Sequence, residues 1–209
     1  MYVSHSFSVS PLARMLKLSI LAPALLMGPC ALAQSVVENG SSKTINAETV
    51  GDSWLVRDGS SLTANGATTH QIRAQAGSRL VLNGATTTAL GTSNGVELSN
   101  SDATITNSRV VSDRTGLRLI ATAVGGSTAR VGNSQITGGQ FGASLSAQSR
   151  LTLDSGTTVT ATNADGIGVQ TFGGQVLATG SKIVGGLHGV SVFTANNLPA
   201  DNALVLDST

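Results

Sequence analysis

Serine, aspartate and histidine, the parts of a nucleophilic hydrolase site, all occur in this chain of 209 residues. Ser53 follows Gly51 and Asp52, and the histidines beyond residue 33 are His70 and His188. A serine becomes a nucleophile when a histidine takes its proton and an acid orients that histidine, whatever their order in the chain. Ser53, Asp52 and the two histidines are therefore the first residues to consider for catalysis.

The Gly51–Ser53 block resembles the nucleophile block of the Gly-Asp-Ser esterases, some of which are autotransporter passengers. That family places its serine after an apolar strand and pairs it with a downstream Asp-x-x-His. Neither His70 nor His188 follows an aspartate by three residues. We therefore expect the block to be a polar turn and both histidines to lie at the surface, and the sequence predicts no catalytic residue.

Metal and cofactor sites have little support in the sequence. Cys30 is the single cysteine, which excludes an internal disulfide and a cysteine-rich zinc site. Asp113, Asp154 and Asp165 have no acidic neighbour within three residues, whereas calcium binding and acid–base catalysis need clustered carboxylates. The chain also has no phosphate-binding loop and no dinucleotide fingerprint. We expect no metal and no cofactor.

The composition excludes two broad classes of protein. Lys and Arg number 12 against 11 Asp and Glu, and only 11% of residues are charged and 3% aromatic. A nucleic-acid partner would need a basic surface, which this balance does not provide. A hydrophobic content of 40% with a net charge of +1 is also untypical of a disordered chain.

A repeat begins near residue 60, with a period of about 24 residues. Its first element reads apolar–any–apolar and then a turn rich in Asn, Asp, Gly and Ser. The second apolar position of that element recurs at Ala64, Leu82, Ile105, Val131, Leu153, Ala178 and Leu206. A second element reads Gly–apolar–any–apolar and begins at Gly95, Gly116, Gly142, Gly166 and Gly189. A short β-branched site lies between the elements, at Val110, Ile136, Val159 and Ile183.

Each period therefore carries three short strand patterns separated by turns. Apolar and polar residues alternate within each pattern, which indicates strands with one buried face. Three strands in about 24 residues predict one rung of a parallel β-helix, with equivalent residues stacked about 4.8 Å apart. A β-sandwich also has strands every 8–12 residues, but it has no reason to repeat its turn chemistry. A leucine-rich repeat would need a helical half-period, which is absent.

The repeat also predicts which residues stack on one another. One core column should contain Leu62, Leu80, Ala103, Ala129, Leu151, Val176 and Leu204. A second should contain Val96, Leu117, Ala143, Ile167 and Val190. One turn should be lined by Asn65, Asn83, Asn107, Asn133, Asp154 and Asp207. In this arrangement His70 and His188 lie about five rungs apart, roughly 24 Å, which is too far to share a metal ion.

Residues 1–33 have the three parts of a secretory signal peptide. Arg14 and Lys17 precede an apolar run over 18–27, and the segment closes on an Ala-x-Ala pattern. The run of about 10 residues is shorter than the roughly 20 needed for a membrane-spanning helix. We predict cleavage between Ala33 and Gln34.

The rest of the chain is predicted to form one β-helix in two parts. Residues 34–60 are less regular and are expected to cap the column, with Trp54 as a lid, because solenoid ends need capping. Residues 61–209 are expected to form the rungs, incomplete at the carboxyl end. Met15 is an alternative start, since the segment from Met15 to residue 33 is already a complete signal peptide.

The stretch 52–66, together with the repeats, resembles the beginning of a pertactin-like autotransporter passenger. The resemblance covers roughly residues 40–209. It implies a right-handed β-helix on the surface of a Gram-negative cell, carried across the outer membrane by a C-terminal β-barrel translocator. The sequence holds no such barrel segment, so we expect either the amino-terminal part of a longer protein or a truncated gene.

The resemblance and the repeats together predict a non-enzymatic, adhesin-like scaffold. Its ligands would bind loops between rungs, such as 121–127 or 195–202, because loops on rigid scaffolds carry function. Host-surface or cell–cell receptors are the expected partners. With a barrel the chain would reach the cell surface, and without one the periplasm. The alternatives are the stalk of an autotransported hydrolase and a truncated fragment without function.

Overall fold

Short strands make up the regular structure of the chain in the computed structural model, which describes residues 34–49, 51–193 and 204–207. The first sheet contains β1 (Gln34–Val37), β3 (Ser53–Val56), β6 (Ile72–Gln75), β9 (Val96–Ser99), β12 (Thr115–Ile120), β15 (Phe141–Leu145), β18 (Ile167–Phe172) and β21 (His188–Phe193). The second sheet contains β2 (Ser42–Asn46), β4 (Ser61–Asn65), β7 (Arg79–Asn83), β10 (Asp102–Thr106), β13 (Thr128–Gly132), β16 (Arg150–Leu153), β19 (Gln175–Thr179) and β22 (Leu204–Asp207). The third sheet contains β5 (Thr68–Thr69), β8 (Thr86–Ala89), β11 (Arg109–Ser112), β14 (Gln135–Gly138), β17 (Thr158–Ala161) and β20 (Lys182–Val184).

The three sheets form a parallel β-solenoid of about seven turns, with three strands and about 23 residues in each turn. Each strand, apart from the two at the ends of each sheet, pairs in parallel with the equivalent strand one turn before and one turn after it. No helix occurs in the described residues. The predicted parallel β-helix is therefore confirmed, and the β-sandwich and leucine-rich-repeat alternatives are wrong. Strands β1, β2 and β3 lie within the predicted capping region 34–60 and join the same sheets as the later strands.

The core columns of the second sheet agree with the sequence repeat. Leu62 is in register with Leu80, and the column continues through the predicted residues to Leu204. The alternate column runs from Ala64 to Leu206 in the same way. Inward-facing residues of β4 are fully buried while their neighbours are partly exposed. The predicted period-two alternation thus places one face of each strand in a continuous apolar core.

One member of the first-sheet column was predicted wrongly. Ala143 is in register with Val169, and Ile167 pairs instead with Phe141. Gly166 and Gly168 each precede an apolar residue, so the sequence pattern fits either glycine. Gly168 is the glycine that lies next to Gly142 in the adjacent turn. The residue that follows it, Val169, therefore belongs to the column.

A column of glycines explains why the second element of the repeat begins with this residue. It contains Gly95, Gly116, Gly142, Gly168 and Gly189, each next to the carbonyl of the following member. A Cβ at Gly142 would lie 2.7 Å from Cγ1 of Val159 in the third sheet. The β-branched residues of the third sheet, including Val110 and Ile136, thus occupy the space that a side chain at the glycine position would need.

The turns after β4, β7, β10 and β13 are closed in two ways. Asn65 and Asn83 are the last residues of their strands, and glycines with positive φ follow them. In the next two turns one residue is inserted, and Asn107 and Asn133 themselves take positive φ. Asn133 Nδ2 donates a hydrogen bond of 2.7 Å to Asn107 Oδ1. The asparagines of the predicted turn therefore occupy two adjacent positions. Asn65 and Asn83 end their strands, whereas Asn107 and Asn133 lie one residue later and adopt the left-handed conformation, which asparagine tolerates.

Buried serines stack at the turns before β7, β10, β13 and β16. The backbone N–H of Ser78 donates to Ser101 Oγ, that of Ser101 to Ser127 Oγ and that of Ser127 to Ser149 Oγ. These four serines are at most 3% exposed. The hydroxyls of Ser101, Ser127 and Ser149 each accept a backbone N–H that burial would otherwise leave unpaired.

Candidate functional site

Of the residues considered from the sequence for nucleophilic chemistry, Ser53 and His70 lie together near the start of β3. Ser53 begins that strand, so the prediction of a polar turn is wrong for this residue. Ser53 and His70 line one cleft of about 190 Å³, together with Gln71 and Leu90. The backbone N–H of His70 donates a hydrogen bond to the backbone carbonyl of Asp52. This bond holds the turn that contains His70 beside the cleft.

Asp52, which precedes Ser53 in the chain, does not orient the histidine. Asp52 Oδ2 accepts a hydrogen bond from Ser35 Oγ, and Oδ1 accepts one of 2.8 Å from the backbone N–H of Ser53. Both carboxylate oxygens are therefore directed at groups other than His70. A serine hydrolase site needs its acid bonded to the histidine ring, and that relay is not assembled here.

The second histidine belongs to a distant part of the solenoid. His188 begins β21, which is five strand steps from β6 in the first sheet, while His70 lies just before β6. At about 4.8 Å per step the separation is about 24 Å, as the repeat predicted. Within the described residues, no three His, Cys, Asp or Glu side chains are placed to hold a metal ion. Asp113 and Asp154 instead bind the N–H of Gly91 and the guanidinium of Arg130.

A groove on the outer face of the second sheet is the larger polar site. It has a volume of about 330 Å³. We call it the arginine groove; its lining residues are Arg79, Asp102, Ala103, Thr104, Thr128, Ala129, Arg130, Arg150 and Thr152. The strands β7, β10, β13 and β16 supply them, so the groove runs along the solenoid axis across four consecutive turns.

The register of the second sheet aligns the groove residues in two outward columns. Arg79, Asp102, Thr128 and Arg150 occupy one column. Thr104, Arg130 and Thr152 occupy the other. The alanines between the columns face the core, so they contribute mainly backbone to the groove floor. Each column therefore contains both threonine and arginine side chains.

The charges of the arginine groove are unevenly paired. Arg130 Nε lies 2.6 Å from Asp154 Oδ2, and this arginine side chain remains 70% exposed. Asp102 Oδ1 accepts a hydrogen bond from Thr128 Oγ1. Among the described residues, Arg79 and Arg150 make no ion pair. Two guanidinium groups thus remain available to an anion from solution.

A second charged cluster lies on the outer face of the first sheet. Glu97 is in register with Arg73 on one side and Arg118 on the other, and each guanidinium lies 3.3 Å from its carboxylate. Asn94 Nδ2 donates a hydrogen bond of 2.6 Å to Glu97 Oε2. Glu97 is only 8% exposed, so this cluster is a structural ion-pair ladder between turns and leaves no open carboxylate.

Neither charged cluster was identified from the sequence. Arg79, Asp102, Thr128 and Arg150 each directly precede the first apolar residue of the repeat. If the aligned repeat had been extended by one residue toward the amino terminus, these four residues would have fallen in one column. The hydrophobic pattern that defines the rungs carries no information about outward positions, and the groove was missed for that reason.

Comparison with known proteins adds no further identification. No family model, curated protein or solved structure matches the chain. The described residues contain no helix of the length and apolarity needed to cross a membrane.

Proposed function

We propose that this chain is the passenger of an exported surface protein and acts as a non-enzymatic, adhesin-like scaffold. The observation that carries the proposal is the unbroken register of three parallel sheets, which presents fixed columns of polar side chains along one axis. The arginine groove is one such surface, built from four consecutive turns. The resemblance of residues 40–209 to pertactin-like passengers supports the same function.

The solenoid suits this role because each turn is fixed to its neighbours by backbone hydrogen bonds and by side-chain columns. Repeat proteins of this kind gain stability from contacts between adjacent repeats. The serine column from Ser78 to Ser149 and the Glu97 ladder add polar contacts between successive turns. A stiff column holds its outward residues at fixed spacing, so a ligand meets a surface already arranged before binding.

Export is part of the proposal. Residues 1–33, which lie outside the described residues, carry the signal-peptide pattern, and the partner in the full-length protein would be an outer-membrane β-barrel translocator. Host-surface or cell–cell receptors would then be the ligands. A protein that travels by this route is cleaved after Ala33 and begins at Gln34.

Export is tested by expressing the chain in a Gram-negative host and sequencing the amino terminus of the protein in each cell fraction. The proposal predicts a periplasmic or surface product that begins at Gln34. A matched variant, Ala33→Asp, removes the small residue required at the cleavage site and should accumulate the uncleaved form. A cytoplasmic product that keeps its first residues would contradict the proposed route.

A second candidate, a hydrolase with the solenoid as its stalk, is favoured by one observation: Ser53 and His70 line the same cleft. It predicts ester hydrolysis that the Ser53→Ala and His70→Ala variants both abolish. The matched control is Ser93→Ala, since Ser93 lines the same cleft outside the proposed site. Equal background hydrolysis by all four proteins would exclude this candidate.

A further inference from the structure

We propose that the arginine groove binds an anionic polysaccharide, and that Arg79 and Arg150 are its principal contacts. This inference deepens the adhesin-like function by naming its ligand class, and it rests on that function for its biological setting. The groove itself is a property of the folded protein, so binding can be measured without export or display.

The charge balance of the groove favours an anion. Its lining residues include three guanidinium groups and a single carboxylate, that of Asp102. The Asp102 carboxylate accepts a hydrogen bond from Thr128, and Arg130 is held by Asp154. Arg79 and Arg150 are therefore the cations of the groove whose guanidinium N–H groups can donate hydrogen bonds to a ligand. Guanidinium groups bind carboxylate and sulfate through paired, charge-assisted hydrogen bonds.

The spacing of these two arginines favours a chain of anionic groups over a single small anion. Arg79 and Arg150 lie in one column on β7 and β16, which are three strand steps apart. At about 4.8 Å per step their Cα atoms are about 14 Å apart. A polymer that carries repeated charges can lie along the solenoid axis and contact both ends of the groove.

The threonines of the groove favour a sugar backbone between those charges. Thr104 and Thr152 present hydroxyl groups that can donate to and accept from sugar hydroxyls, and the Thr128 hydroxyl, which donates to Asp102, can accept a hydrogen bond from one. Single-stranded nucleic acids bind on aromatic stacking platforms, and drug-like apolar ligands bind in pockets lined by hydrophobic side chains. The lining residues of this groove include neither aromatic nor large aliphatic side chains.

Binding of the purified protein to fluorescent dextran sulfate, alginate and uncharged dextran tests the inference. Sulfate and carboxylate are the two sources of the proposed charge, and the first two probes distinguish them. The test variant is Arg79→Gln/Arg150→Gln. The matched control is Arg109→Gln/Arg114→Gln, which removes the same charge from exposed arginines outside the groove. Thermal unfolding of every variant establishes that it is folded.

The inference predicts that at least one anionic dextran or alginate probe binds and that uncharged dextran does not. The groove variant should lose affinity by about tenfold or more, since charge-assisted hydrogen bonds are lost at both ends, and the control should change less than about twofold. Absence of binding to both anionic probes would overturn the inference, as would equal losses in the two variants. Equal affinity for polyglutamate or single-stranded DNA would also overturn it, because the groove would then recognise charge without the sugar. None of these results bears on cleavage after Ala33, so the inference and the proposed export can fail separately.

Discussion

A Cβ added at Gly142 would lie 2.5 Å from the carbonyl oxygen of Gly168, one turn further along the first sheet. The same atom would lie 2.7 Å from Cγ1 of Val159 and 3.0 Å from the backbone of Thr160. Two of these neighbours are main-chain atoms, which cannot move without displacing an adjacent turn. The glycine column is therefore a packing requirement of the solenoid.

Gly142→Ala is expected to destabilise the protein by about 3 kcal/mol, because overpacking a core site typically costs about 1–3 kcal/mol and here meets backbone. The measurement is urea unfolding followed by circular dichroism. Gly132→Ala is the matched control, since its added Cβ would meet nothing closer than 3.7 Å. The control should unfold at or slightly above the wild-type midpoint, because alanine reduces the entropy of the unfolded chain. Equal midpoints for the two variants would contradict this account of the column.

The repeat could be read from the sequence because its inward residues and its turns are chemically restricted. Leu62 and Leu80 were placed in register correctly, since each begins the same apolar alternation, which fixes the buried face, and the same Asn-Gly turn follows it. The register of Ile167 was missed because two glycines compete for one position. Glu97 and Arg79 were missed because outward positions follow no hydrophobic rule, and the outward residues beside them in register come from other turns.

Glu97→Gln should lower the free energy of unfolding by about 2 kcal/mol, because the amide removes the charge that two guanidinium groups share. Glu38→Gln is the control. Glu38 pairs with Arg57 at an exposed site, and exposed ion pairs contribute little. The comparison is made by chemical unfolding at low and high salt. If the two variants are equally stable, the Glu97 ladder does not hold adjacent turns together.

The hydroxyl groups of Thr69 and Thr87 form a buried pair, so substitutions of the two residues should have non-additive effects on the free energy of unfolding. Their Oγ1 atoms lie 2.9 Å apart, and both side chains are at most 1% exposed. Thr69→Val should cost about 1–3 kcal/mol, because it leaves the Thr87 hydroxyl without its partner. The double variant Thr69→Val/Thr87→Val removes both polar groups and should recover most of that loss. A double-mutant cycle by thermal unfolding measures the coupling; strictly additive losses would show that the hydroxyls do not depend on each other.

The central claim is that the folded solenoid is itself an adhesive surface. The most direct test is attachment of beads coated with the purified protein to cultured epithelial cells and to the expressing bacteria, against beads coated with heat-unfolded protein. If the solenoid is an adhesive surface, the folded protein attaches to one of these surfaces. Attachment should be weaker for the Arg79→Gln/Arg150→Gln variant and unchanged for Arg109→Gln/Arg114→Gln. Folded protein that attaches to neither surface more than the unfolded protein would contradict the adhesin-like function.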